Sequence, residues 1–422
     1  MIAEKSTTAI ELLDRMTGAP KVAFISGQKV SDALMYLSAN GIPTAKHEEY
    51  KYCNMEAVFR KEFKQASYAP AAVTAIANYQ VNDAVTIVVE NGRYSPELSD
   101  KVVIRGLNIC SLSEAKLGDK VASLADPNTD AFIALNTAFS GEGFYLGVQD
   151  HSEIPMTIHV LYIASSTGEG VVNPRSFVEV GQNASLHLVE QHVVVGEGKV
   201  FSNYVSEKIV HENGRLYNTI LQHEGEKGYS VNTTVAEVKR DAVYAATTLT
   251  FSGQVVRNNH HVLLTGPNGV AHLNGLFTAE HNRLIDNHTL MDHRVPHCES
   301  NELYKGLANG KGTGVFNGKI YVRKDAQKTN AYQSSKNILL SDDATINTKP
   351  QLEIYANDVK CSHGTSTGKI DPNHLFYLRA RGVGQESARK MLLASFAHEV
   401  IEKISDDGAR EKAMTLFEQY HP

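Results

Sequence analysis

Cys361, Ser362 and His363 set a thiol and an imidazole two residues apart in a chain of 422 residues that holds only four cysteines. On a β-strand, positions i and i+2 point to one face, about 6.5–7 Å apart. Both side chains could then reach one metal, or neighbouring metals of one cluster. Thiolate with imidazole suits zinc and iron–sulfur chemistry. Two donors fall short of the about four that a tetrahedral site takes. The other ligands would have to come from distant parts of this chain or from another subunit. A small buried thiol beside a strand-end histidine gives the same spacing with no metal role, and spacing alone favours that reading.

Other residues with chemical potential lead less far. Seven of the 18 histidines lie between His260 and His297. His288 and His293 are five apart, so on one strand they face opposite sides. Histidines from neighbouring coils of a stacked fold could still line a metal path, while surface or ladder-forming histidines explain the segment as well. "LANGKGTGVFNG" (Leu307–Gly318) lacks P-loop spacing, and neither G-x-S-x-G nor H-E-x-x-H occurs. An ATPase, hydrolase or metalloprotease is therefore not indicated. Gly382-Val383-Gly384 followed by Ala388 has helix-hairpin-helix spacing, with Arg379, Arg381, Arg389 and Lys390 nearby. It occurs once, and the net charge is −6, so nucleic acid is not an expected partner. Cys53, Cys110, Cys298 and Cys361 form no C-x-x-C pair and read as reduced thiols of a cytoplasmic protein. The N-terminus does not read as a signal peptide. No apolar run is long enough to span a membrane.

The elements that would hold these residues change in texture along the chain. Residues 1–125 read as a mostly helical N-terminal domain. "TTAIELLDRM", "VSDALMYLSANG" with Gly41 as its C-cap, and "NMEAVFRKEFK" carry helical spacing. The polar, proline-marked "GIPTAKHEEYKYCN" reads as a linker or hinge, and β-branched runs at 83–110 suggest a few strands. Residues 126–370 read as a β core. From about residue 155 to 365, short β-rich runs alternate with turn pairs such as Asn213-Gly214, Arg240-Asp241, Asn268-Gly269 and His281-Asn282. No crossover helices interrupt them, which excludes ordinary βαβ units. A sandwich of antiparallel hairpins and a β-solenoid both remain, and the length suits many stacked coils. Residues 371–422 return to helix. Leu393, Phe396, Ala397, Val400 and Ile404 form one stripe there, which could pack at home or fill a partner's groove.

A resemblance adds what spacing cannot. The run "FNGKIYVRKDAQKTNAYQSSKNILLSDDATINTKPQLEIYANDVKCSHGTSTGKID" (Phe316–Asp371) resembles the signature region of the SufB and SufD family of iron–sulfur cluster assembly proteins. "LFYLRARGVGQESARKMLLASFAHEVI" is similar to that family's C-terminal helices. "IPTAKHEEYKYCNM" resembles a segment of its SufD branch, with Tyr50 where tryptophan is usual. Chain length and the few cysteines point to the same branch. The resemblance implies a right-handed parallel β-helix flanked by N-terminal and C-terminal helical domains. It implies a non-catalytic scaffold subunit of a SufB–SufC–SufD complex. The expected partners are a SufB-like subunit, met through the β-helix, and a SufC-like ATPase, met through the C-terminal helices. His363 would help form a cluster at the SufB interface, with Cys361 as the weaker candidate ligand. The nascent iron–sulfur cluster or iron would be shared with SufB, and none would stay tightly bound to the isolated chain. A flavin is linked to such complexes, but no flavin motif is found. Without its partner, a homodimer is one option open to the chain, through an exposed edge or end of a solenoid. The alternative is a homodimeric structural or ligand-binding β-solenoid with no metal role.

Overall fold

A computed structural model describes residues 24–59, 63–65 and 76–420 of the chain. The expected helix at "TTAIELLDRM" lies outside them. Seven strands, Ser185–Val195, Arg215–His223, Val243–Ser252, Val270–Ala279, Glu299–Ala308, Asn330–Leu339 and Lys360–Gly368, each pair in parallel with the next. The strands between them, from Lys199–Val210 to Thr345–Ile354, do the same in a second sheet. The chain therefore alternates between two sheets and advances one rung per coil, as in a parallel β-solenoid. Hairpins of a sandwich would have paired antiparallel, so that option falls. Register is strict: Tyr332 pairs with Asn301 on one side and with Ser362 on the other.

The turn signals of the sequence are the corners of the coils. Asn213, Asp241, Asn268 and His281 all sit at positive φ, between 54° and 60°. Asn and Asp tolerate this left-handed region better than most residues. The corners also stack, since Asn213 Nδ2 donates to Asn183 Oδ1 at 2.7 Å and Asn268 Nδ2 to Asp241 Oδ1 at 2.9 Å.

Inside the solenoid, alternate residues of both sheets meet. Leu186, Leu188, Tyr204, Ala246, Met291, Phe316 and Ile320 share one buried cluster. The lumen is not uniformly apolar. Lys208 Nζ donates to Glu190 Oε2 at 2.8 Å, and Tyr244 Oη meets His260 Nε2 at 2.8 Å. Charges buried this way need partners, and these have them.

Strands at both sheets' N-terminal edges come from the segment before residue 126. Ala84–Glu90 lies parallel beside Thr157–Ser165 and antiparallel to Arg93–Ser95. Leu107–Cys110 runs antiparallel to Phe144–Val148. A helix, Ala131–Phe139, follows, with the Asp130 carboxylate accepting from the Phe132 and Ile133 N–H groups at 2.7 and 3.3 Å. The segment expected to be a linker or hinge is instead clamped to the outer face of one sheet. The Arg257 guanidinium lies 3.9 Å from the Tyr50 ring centroid and donates to the Glu49 carbonyl at 2.8 Å. Tyr50 donates its hydroxyl to Asp130 at 2.7 Å. Polar composition suggested exposure, and most of its polar residues are exposed, but Glu48, Glu49 and Tyr50 reach fixed partners, which tethers the segment.

At the C-terminus, the helix Gln385–Ile401 turns Leu393, Ala397, Val400 and Ile401 into one cluster with Leu276 and Leu307 of the solenoid. The predicted stripe thus packs at home. The preceding helix, Pro372–Ala380, has no buried residue, and its Phe376 and Tyr377 are 74% and 57% exposed.

Candidate metal-ligating site

The strand Lys360–Gly368 carries both candidate ligands and is the last rung of its sheet. Its partner Asn330–Leu339 buries Ala331, Gln333, Ser335 and Asn337, which are its lumen-facing positions. In register, Cys361 stands over Ala331 and His363 over Gln333. In-register parallel neighbours share a face, about 4.8 Å apart. Cys361 and His363 therefore belong to the lumenal face of the final coil. Cys361 packs on the inner apolar cluster, while His363 is exposed.

What makes that position unusual is the missing cover. Among the described residues, no strand pairs with the outer edge of Lys360–Gly368 or of Thr345–Ile354. Lys360–Gly368 is exposed along almost its whole length, and Thr345–Ile354 is half-buried. Such an edge is a ready template for another chain. The lumen opens there, with the thiol and the imidazole at its mouth.

The two donors differ in readiness. Burial pushes the Cys361 thiol up, partly offset by a backbone hydrogen bond at Ala331. The thiol is then protonated at neutral pH, and ligation would have to release that proton. The other cysteines are also free thiols. Cys53 and Cys298 are fully buried, and burial raises both thiols. Among the described residues, no group of three or more His, Cys, Asp or Glu could hold a metal ion. The shortage of ligands inferred from two donors thus persists in three dimensions.

The histidine-rich segment is dispersed. His288 faces outward to Asp286 and Glu49, at 2.9 and 3.3 Å, while His293 faces the lumen and meets Ser300 at 2.8 Å. The opposite facing expected from their spacing is observed. His281 and His297 occupy left-handed corners. These four hold structural positions, and among the described residues the segment forms no group of three or more ligands that could hold a metal ion.

Sequence reasoning missed the residues behind the candidate site. Glu302 and Gln333 are buried in the lumen directly below His363. In "AYQSSKN" both faces of the strand are polar, so period-2 alternation could not say which residues face inward.

A family model described as "SUF system FeS cluster assembly, SufBD core domain" matches residues 162–396, and one described as "SufBD protein N-terminal region" matches residues 25–160. The chain is similar to "Iron-sulfur cluster assembly protein SufD" of Escherichia coli, 29% identical over 395 residues and 92% of each chain. It is similar to "Protein ABCI7, chloroplastic" of Arabidopsis thaliana, 32% identical over 67% of this chain and 62% of the relative. An iron-sulfur cluster assembly SufBD family protein of Synechocystis is 26% identical over 86% of this chain and 84% of its own length.

Proposed function

We propose that this chain, which belongs to the SufBD family of SUF-system iron–sulfur cluster assembly proteins, is a non-catalytic scaffold subunit of a SufB–SufC–SufD type complex. The observation that carries this reading is the open C-terminal end of the solenoid, with Cys361 and His363 on its lumenal face. A SufB-like subunit adding its own strands there would satisfy the free edges and supply the missing ligands. The nascent iron–sulfur cluster is cargo at that junction. A site divided between subunits opens when one of them moves, so the cluster can be passed on. His363 is the principal ligand of this half-site, and Cys361 assists after losing its proton.

The exposed helix Pro372–Ala380, with Phe376 and Tyr377 outward, is the surface for a SufC-like ATPase. Its neighbour Gln385–Ile401 is already committed to the solenoid. Among the described residues, no helix is long and apolar enough to cross a membrane, and we place the complex in the cytoplasm. Alone, the same free edges would accept a second copy of this chain, giving a homodimer.

The test is co-expression with a SufB-like and a SufC-like protein. His363→Ala should leave the complex assembled and lower cluster formation roughly tenfold or more, read from iron, sulfide and visible absorbance. A normal cluster yield in the assembled variant would remove His363 from the site.

A further inference from the structure

The free end of the lumen has a supporting structure that the two candidate ligands do not account for. Glu302, Gln333 and His363 occupy three successive rungs of one sheet, each in register with the next. Glu302 and Gln333 are buried in the lumen. The Gln333 carboxamide donates from Nε2 to Glu302 Oε2, and Thr289 Oγ1 donates to the same oxygen at 3.2 Å. With its amino end committed backward, Gln333 keeps Oε1 free, and that buried oxygen has no protein partner. A buried acceptor without a donor is costly, and the next rung forward is His363.

We propose that Gln333, oriented by Glu302, is a positioning residue for His363. It accepts one imidazole N–H and so fixes which ring nitrogen faces the open end. This rests on the reading of His363 as a ligand. Ligating histidines usually give their second N–H to such a partner, which sets tautomer and ring orientation. With Glu302 ionised, Nε2 is the end that faces it, since an amide turned over would set its oxygen against the carboxylate. Burial pushes the Glu302 carboxyl up to about 7, against the pull of Gln333 and Thr289. Gly318 completes the arrangement, since a Cβ there would come within 2.3 Å of Gln333 Nε2.

The experiment reads the ring itself and needs no metal. In the full chain labelled with ¹⁵N-histidine, the His363 resonances are those lost in His363→Asn. At a pH where the ring is neutral, wild type should show a single tautomer. Gln333→Leu should move both ring ¹⁵N shifts toward an averaging, solvent-exposed imidazole. Gly318→Ala, which keeps Gln333 but displaces its amide, should act in the same direction as Gln333→Leu. Unmoved His363 shifts in a folded Gln333→Leu or Gly318→Ala chain overturn the proposal. The outcome is separate from the cluster assay. A tautomer that responds beside a normal cluster yield for His363→Ala keeps the ladder and removes the ligand role.

Discussion

At the N-terminal end of the solenoid, the parallel stack finishes against antiparallel strands, Arg93–Ser95 in one sheet and Leu107–Cys110 in the other. At the C-terminal end, Lys360–Gly368 and Thr345–Ile354 stop with no strand beside them among the described residues. One ion pair from each end shows the difference in burial. Near the first coils, Arg175 Nη2 meets Glu207 Oε1 at 2.7 Å, both side chains fully buried. Glu207 also accepts the backbone N–H groups of Ala122, Leu124 and Ala125 at 2.7, 2.9 and 3.2 Å. Near the last coil, Lys369 and Asp342 pair at 2.7 Å while 68% and 90% exposed. One end is finished within the chain. The other is open among the described residues, and the candidate ligands are at that end.

The largest effect should come from the buried pair. Arg175→Met strands the Glu207 carboxylate and should cost about 3–5 kcal/mol in urea unfolding of the full chain. The contrast between the ends breaks down if this variant is as stable as the wild type. Core truncation comes next. Leu146→Ala, at a fully buried position of the first coils, should cost about 2–5 kcal/mol. Leu352→Ala, on the half-buried last coil, should cost less than about half as much. Mixing in the SufB-like partner should narrow that gap, because the partner would bury Leu352; an unchanged gap would argue that the partner docks elsewhere. The smallest effect should be Lys369→Ala, whose exposed, salt-screened pair leaves the unfolding midpoint at the wild-type value. A clear shift there would mean that the open end is more ordered than its exposure implies.

Much of this fold was legible in local chemistry. Asn213, Asp241, Asn268 and His281 mark the corners because few residues accept positive φ. The apolar stripe from Leu393 to Ile404 reported a packed helix. Parallel pairing was not legible, because period-2 alternation is the same in a hairpin and in a stacked coil. The clamp on Tyr50 was missed for a related reason. Its partners Arg257 and Asp130 lie far away in sequence, and polar residues near a proline read as a linker until the acceptors are in place.

The candidate site divides the same way. The sequence alone determined that Cys361 and His363 share a strand face and that two donors are too few, since spacing and coordination number are local facts. Only the tertiary structure decided that this face is the lumenal one, that its coil is the last, and that Glu302 and Gln333 stand behind it. Those relations join residues a whole coil apart. Register across a sheet is set by the packing of every rung below, and no short stretch of chain encodes it.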